Sequence, residues 1–411
     1  MPRFNLEEKK LIFIQSFISF GSALASVFVN IFFFANSDLK TTLFYNLIVF
    51  STLLLFYFLS GWSLRRFSSG ILIKSGILAW AFFYFLMFFL RTNAIHYVAL
   101  LAIISGFAAG NYWAGFNLNQ YIFTNKNKRV EYFGSSAGAI SFLQAIAPFI
   151  GGAIVSFTSL RKFFGADAGY GLLFLAVCLI FLLVYFVAGR LPTHDILRFS
   201  YKDVIYHKRS MQWKIILCQQ MVLGLFDGSF AVVGGIMYFL ILKKVLLVGG
   251  AQTVGLLLGT AGSMISIYLL KKRAGYYWIG ALGFSVGLIG FAMFQNLYGL
   301  IFYIIVGGIT TPFLTNWLSI VFLHAIDKVE KPWEEKYQFL LERDTCLGAA
   351  RVVSMLFLFF FIQLGNQVTF AKYWLYFVPL APILLGVLLR KYSKVESLAT
   401  AATIEIGETK L

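Results

Sequence analysis

Charge is what this chain has least of: 12% of its 411 residues are Asp, Glu, Lys or Arg, and only 17 are acidic. Ordinary soluble domains are about one-quarter charged, so a surface wetted on all sides is excluded. Cysteine and histidine are also scarce, at 3 and 4 residues. Cys178, Cys218 and Cys346 form neither a disulfide framework nor a metal spacing and read as small apolar packing residues. His194 adjoins Asp195, but no second carboxylate cluster, metal spacing or Gly-rich phosphate loop accompanies it. These absences argue against a membrane-bound enzyme, against direct use of ATP and against any cofactor. No ring-forming filter or repeated pore segment suggests a channel.

What is present is apolar. Hydrophobic residues make up 60% of the chain, 47 residues are Phe, and the mean hydropathy is +0.81. A bilayer core needs about 20 apolar residues per helical span. Stretches of that length predict twelve spans at 11–36, 39–62, 70–90, 94–123, 132–159, 168–189, 213–242, 249–270, 275–295, 297–325, 341–366 and 371–391. The fold class expected is therefore an all-α membrane protein with twelve transmembrane helices in two six-helix bundles.

A net charge of +17 would suggest nucleic acid in a soluble protein, but its placement argues otherwise. Most of the 34 Lys and Arg residues fall on one face of the predicted topology, in the terminal segments and in loops such as Lys126–Arg129 and Lys271–Arg273. The positive-inside rule then places both termini in the cytoplasm. The first apolar run lacks a small-residue cleavage pattern and reads as a retained helix. A plasma (inner) membrane location is expected, with the protein a monomer among membrane lipids.

The longest polar stretch lies near the middle of the chain. It divides an N-terminal bundle (residues 1–189) from a C-terminal one (213–391), with a cytoplasmic linker at 190–212 and a tail at 392–411. A weak internal echo supports duplication. Asn117 in span four and Asn316 in span ten each precede a Phe that closes the helix, a charged loop, and then Glu131 or Glu342, expected to open the next span. Repeated halves around a midplane site are a transporter architecture.

Two local patterns strengthen that reading. After span two the chain has Gly61-Trp62-Ser63-Leu64-Arg65-Arg66, and span five carries Gly134, Leu143, Ala147, Pro148, Gly151 and Gly152. The chain thereby resembles the major facilitator superfamily, whose loop after helix two carries Gly-x-x-x-Asp-Arg-x-Gly-Arg-Arg. Exporters of that superfamily often carry Gly-x8-Gly-x3-Gly-Pro-x2-Gly-Gly in helix five. Gly61 and Arg66 match the loop motif, but Arg65 replaces the acid, so the gate that the acid holds in the family must be latched differently here. Gly134, Pro148, Gly151 and Gly152 match the second motif while Leu143 and Ala147 depart from it, with Pro148 bending the helix and the Gly pair admitting a close neighbour. The resemblance implies alternating access, with helices one, four, seven and ten lining a central cavity, and it favours antiport.

Polar residues inside a membrane are expensive and mark functional positions. In span one, Gln15, Ser19, Ser22, Ser26 and Asn30 share a helical face. In span seven, Gln220, Gly224, Asp227, Ala231, Gly234 and Tyr238 do the same. Candidate substrate contacts are Gln15, Asn30, Asn117, Gln120, Asn316 and Arg351. Asp227 is the acid expected deepest in a span, about 21 Å along the helix from Trp213 at 1.5 Å per residue. Two roles are open to it: a proton-coupling group, whose desolvated carboxyl exchanges protons, or one half of an ion pair with Arg351. Arg351 in turn is open to binding an anionic substrate group or to pairing with Asp344 or Asp227. The function expected is a secondary transporter of a small molecule, with proton-coupled efflux as the leading form. A lipid or glycolipid flippase, or an uncoupled facilitator, on the same scaffold is the alternative.

Overall fold

A computed structural model describes residues 4–123, 129–159, 168–189, 191, 200–329 and 333–408, and no strand occurs among them. Helix is the form that satisfies every backbone N–H and C=O within a segment when no water is available. Six long helices come first: α1 (Leu6–Asn36), α2 (Leu39–Ser63), α3 (Ser69–Leu90), α4 (Val98–Phe123), α5 (Arg129–Ser159) and α6 (Ala168–Ala188). A short α7 (Tyr201–Tyr206) follows. Then come α8 (Met211–Leu242), α9 (Val245–Lys272), α10 (Tyr277–Phe294), α11 (Leu297–Asp327), α12 (Trp333–Phe361), α13 (Gln367–Trp374) and α14 (Leu380–Glu408).

Ten stretches of the described residues are long and apolar enough to cross a membrane, which makes this a multi-pass membrane protein. One of them, Ser69–Gln120, spans 52 residues and is the α3–α4 hairpin. A Cβ at Gly76 would lie 2.6 Å from the Ala108 carbonyl oxygen, and one at Gly115 would lie 2.7 Å from that of Ser69. The two helices therefore run antiparallel, with backbones in near contact.

Helix starts follow capping chemistry. Asn5 and Glu8 form a reciprocal capping box at α1, with contacts of 2.7 and 2.9 Å. Asp38, Ser210 and Asn296 each accept the backbone N–H three residues on, at 2.7, 3.1 and 3.0 Å. At the opposite ends of α8 and α10, Lys243 and Gln295 take the left-handed conformation, with φ of 57° and 46°, and so stop their helices.

Several boundaries differ from expectation. The fourth span was expected from 94, but a 3-10 turn occupies Arg91–Tyr97 and α4 starts at Val98. The eleventh was expected from 341, yet α12 begins at Trp333, so Glu342 and Asp344 lie inside the helix rather than at its mouth. The expected last span, 371–391, is broken: α13 ends at Trp374 and α14 runs from Leu380 to Glu408. Pro379 and Pro382 account for the break, because proline fits a first helical turn and not a helix interior. The expected tail from 392 is therefore a continuation of α14 as far as Glu408. Cys218, read as a packing residue, is exposed; Cys178 is buried.

Phenylalanine supplies much of the interior. Phe28, Phe32, Phe33, Phe174 and Phe181 are all nearly inaccessible, and Phe32 meets Phe174 edge to face at 5.8 Å. The perimeter is also apolar, with Phe89 and Phe186 each 71% exposed. Such a surface suits contact with lipid rather than water.

Helices from the first six meet later ones along two seams. On one, α2 runs antiparallel to α12. Phe44 faces Phe359 with ring centroids 6.2 Å apart, a Cβ at Gly348 would lie 3.0 Å from Leu54, and Ser60 Oγ is 3.1 Å from the Tyr337 hydroxyl. On the other, α5 meets α9. A Cβ at Gly249 would lie 2.1 Å from the Pro148 carbonyl oxygen, and the Phe149 N–H donates to Thr253 Oγ1 at 3.2 Å. Gly151 and Gly152 serve opposite sides of α5. Gly151 abuts the Leu24 carbonyl of α1 at 2.5 Å and Gly152 that of Val245 at 2.9 Å, both measured from a built Cβ. The close approach expected of the Gly pair is thus made twice, wedging α5 between α1 and α9.

Candidate functional site

Polar side chains are strung along the α2–α12 seam and the adjoining face of α8. At its centre Arg351 Nε and Nη2 donate to the two carboxylate oxygens of Asp227, at 3.0 and 2.5 Å. This is the bidentate fork that suits guanidinium to carboxylate. Asp227 is residue 17 of the 32 in α8, so the pair sits midway along the helix. Gly224, one turn away, makes the meeting possible: a Cβ there would lie 2.4 Å from the Leu347 carbonyl oxygen of α12. The side chains remain 32% and 23% exposed, so the pair borders open space. Of the pairings open to Arg351, the one with Asp227 is formed, and Asp344 is engaged elsewhere.

Toward the face that carries both described chain ends, here the terminal face, Asp344 collects donors from three helices. The Tyr57 hydroxyl of α2 donates to Oδ2, Asn117 Nδ2 of α4 reaches the same oxygen at 3.3 Å, and Arg343 Nε donates to Oδ1 at 2.7 Å. Beyond it Glu342, also nearly buried, accepts from Arg209 Nε and from Trp213 Nε1 at 2.7 Å, and lies 3.4 Å from His207 Nε2. Asp227 lies midway along its helix; Asp344 and Glu342, expected at the mouth of the eleventh span, are more thoroughly enclosed, with side chains 11% and 7% exposed. On the opposite, far face, Gln367 bridges to α2. Its amide donates to Asp38 Oδ2 at 3.3 Å and accepts the Lys40 N–H at 3.1 Å.

Among the described residues, two cavities are lined by helices from both the first six and the later ones. The larger, about 550 Å³, is bordered by α1, α5, α8, α9, α10 and α11, and Gln144, Gln252, Tyr303 and Asn316 are among its lining residues. The smaller, about 290 Å³, is lined by Ser22, Ser26 and Asn30 of α1 with Asn46, Phe50 and Gly228. Val27 and Ala231 line both. The Arg351 guanidinium lies 5.7 Å from the Phe50 ring centroid, so the ion pair is at the edge of the smaller cavity.

The expected site residues separate into groups. Asn30 lines the smaller cavity, with its Oδ1 accepting from Asn46 at 2.8 Å. Asn316 lines the larger and donates to Ser263 and Ser266 at 3.1 and 2.7 Å. Asn117 belongs to the Asp344 cluster, away from both cavities. Gln15 meets Ser136 Oγ and Gln120 meets the Tyr132 hydroxyl, both at 3.5 Å. These two join α1 and α4 to α5 and do not line either cavity. Of the span-seven stripe, Ala231, Gly234 and Tyr238 face the larger cavity. Gly61 is buried at the end of α2, and Arg66 is exposed with its guanidinium 4.5 Å from the Trp62 ring centroid. His194 and Asp195 lie outside the described residues.

Sequence reasoning named Asp344 as a possible partner of Arg351 but missed its contact with Tyr57, which joins positions 287 residues apart. It also missed Gln144 and Gln252, for which a signal existed: Ser141 and Gln144 are one turn apart in a span otherwise rich in apolar residues.

No family model matches the chain. An uncharacterized Bacillus subtilis (strain 168) protein, YqgE, is 24% identical over 364 residues, covering 84% of this chain and 80% of its own length. An uncharacterized Geobacillus stearothermophilus protein from the sodM 3' region is 27% identical over 169 residues, which is 41% of this chain and 76% of that protein. Solved structures match nearly end to end. A bacterial homologue of the iron transporter ferroportin in an inward-facing state gives a TM-score of 0.69 at 16% identity, covering 95% of this chain and all of that one. A bacterial metal transporter gives 0.61 at 16% identity with the same coverage, and the nucleoside transporter NupG gives 0.65 at 11% identity, again with the same coverage. These structures are transporters rather than enzymes, and the chain has the fold of the major facilitator superfamily.

Proposed function

We propose that this chain is a secondary transporter of a small molecule, working by alternating access through a twelve-helix body of two six-helix halves with both termini in the cytoplasm. The observation that carries the reading is the larger cavity, lined by helices of both halves beside the α5–α9 seam. The seams pair the second long helix of each half with the fifth of the other, α2 with α12 and α9 with α5, as a two-fold repeat requires. Rocking one half on the other opens one end of both seams while closing the other end. Residues 190–212, with α7 among them, tie the halves together. The Tyr201 hydroxyl of α7 donates to the Phe58 carbonyl of α2 at 2.7 Å, while Arg209 grips Glu342 of α12.

Latching at the terminal face falls to Asp344. The motif after helix two lacks its acid here, and an acid from the other half takes up Tyr57, one turn before Gly61. The Asp227–Arg351 pair is the coupling element in this reading. A proton arriving at Asp227 frees the guanidinium, and its return restores the pair, so protonation exchanges one neutral net state for a cationic one. Efflux is the direction favoured, on the strength of the Pro148-x-x-Gly151-Gly152 arrangement.

The structural neighbours are a homologue of an iron transporter, a metal transporter and a nucleoside transporter. Metal is the less suitable cargo here. Divalent metals want carboxylate, imidazole or thiolate donors, the larger cavity presents hydroxyls and amides, and no cluster of metal ligands occurs among the described residues. Proton flux in everted vesicles, read with a pH-reporting dye over a chemically broad compound panel, tests the reading. Compound-evoked flux that disappears in Asp227→Asn is expected. Flux that is intact and still proton-coupled in that variant would remove Asp227 from the coupling role, and no flux with any compound would leave a facilitator or flippase.

A further inference from the structure

Among the residues that line the larger cavity there is no Asp, Glu, Lys, Arg or His. Its polarity comes from amides and hydroxyls. Many of the hydroxyls are already committed: Thr260, Thr311 and Thr315 donate to the backbone of the preceding turn. Gln144 on α5 and Gln252 on α9 are different. Neither amide has a hydrogen-bond partner among the described residues, and each offers two donors and an acceptor. They enter the cavity from helices on opposite sides of the α5–α9 seam. An aromatic wall stands nearby, where Tyr303 meets Phe230 at 5.7 Å and Phe284 at 6.4 Å between ring centroids.

The glycines of α9 add an independent observation. Gly262 is demanded by packing, since a Cβ there would lie 2.2 Å from the Ile309 carbonyl oxygen. Gly255 and Gly259 also line the cavity, yet a Cβ on them would meet nothing nearer than 3.9 and 3.7 Å. Packing against neighbouring helices does not require glycine at these two places. What their missing side chains preserve is cavity space.

We infer that this cavity binds an uncharged glycoside, a hydroxyl-rich sugar joined to a flat ring. The sugar hydroxyls engage Gln144 and Gln252, the ring lies on the Phe230–Tyr303 wall, and the bare backbone at Gly255 and Gly259 leaves room for both. The inference rests on the transporter reading and specifies its cargo. An ionic cargo is disfavoured because the low-dielectric cavity has no counter-charge to offset its desolvation, the nearest ion pair being already complete. Neutral hydrogen bonding combined with an aromatic face is the usual arrangement for a solute with one polar and one apolar side.

Calorimetric titration of the purified full-length protein with salicin and uridine tests this. Glucose, ribose, phenol, uridine monophosphate and Mn²⁺ serve as matched probes lacking the ring, lacking the sugar or adding charge. At least one glycoside is expected to bind, with its sugar alone, ring alone or charged form weaker by about tenfold or more, equivalent to about 1.4 kcal/mol. Gly259→Leu should abolish binding while keeping the wild-type melting temperature, and Gln144→Ala with Gln252→Ala should weaken it by a similar factor. The inference fails if neither glycoside binds at millimolar concentration, if uridine monophosphate or Mn²⁺ binds as well as uridine, or if folded Gly259→Leu binds normally. Flux measurements on the same protein in vesicles separate the two readings. Flux of another compound class without glycoside binding overturns the cargo alone, whereas tight glycoside binding with no flux of anything overturns the transporter.

Discussion

Asp227 and Arg351 hold one another in the middle of the helix bundle, and each is costly without the other. Removing one partner of a largely buried pair leaves an uncompensated charge and costs about 3 kcal/mol. Arg351→Ala and Asp227→Ala are each expected to lower the melting temperature markedly. The reversed pair, Asp227→Arg with Arg351→Asp, should recover to within about 1 kcal/mol of wild type, since burial and geometry are retained. Thermal unfolding in detergent checks this; single variants as stable as wild type would show that the pair contributes nothing to folding. Both residues were legible in the sequence, because a charge inside an apolar run stands out. The choice of partner was not, because Asp344 lies nearer to Arg351 in the chain and only the packing of α12 on α8 directs the guanidinium to Asp227.

Among the helices, α2 carries a cap that also serves the far face. Asp38 caps its first turn and receives Gln367. Burial raises the pKa of this carboxyl, but the hydrogen bonds from Thr41 and Gln367, with Lys40 nearby, outweigh it and hold the group below the usual carboxylate range. A depressed folded-state pKa contributes stability that is present above the unfolded value and is lost as pH falls through the folded one. Asp38→Asn keeps an N-cap acceptor but not that dependence. Its stability deficit is expected to be present at neutral pH and to shrink as the solution is acidified below the ordinary Asp range, which paired melting curves over acid pH would register; a deficit independent of pH would contradict the assignment. At this scale the sequence was informative wherever apolar length decided the outcome, as in α1, α2 and α6. It was less so where charge entered a helix. The acid-rich start of α12 reads as loop by hydropathy but continues as helix, and the break between α13 and α14 is set by two prolines inside the apolar run Trp374–Leu389.

For the molecule as a whole, the α2–α12 seam is the place where a conformational balance can be tuned. The Tyr57–Asp344 contact joins the halves at the terminal face, and a hydrogen bond to a charged group is worth about 1.5–3 kcal/mol. Tyr57→Phe and Asp344→Asn should therefore shift the equilibrium between open and closed terminal faces by about tenfold or more. Spin labels at Phe67→Cys and Leu323→Cys would report this as added population at long distance, and an unchanged distance distribution in both variants would deny the contact a latching role. The all-helical, multi-pass architecture was visible in the long apolar runs. The Tyr57–Asp344 contact was not, since its two ends lie 287 residues apart and no local pattern links them.

The central ion pair has an electrical meaning as well. While Asp227 and Arg351 remain joined, the moving parts at the midplane carry no net charge, and the larger cavity adds none. A potential difference acts only on charge displaced through it, at about 2.3 kcal/mol per elementary charge for each 100 mV. With the pair intact, the reorientation proposed above would be indifferent to voltage, whether the cavity is empty or holds a neutral solute. In the proposed cycle voltage would gain a handle only where Asp227 is protonated and the guanidinium is left unbalanced, so the coupling proposal carries with it a voltage dependence confined to that form.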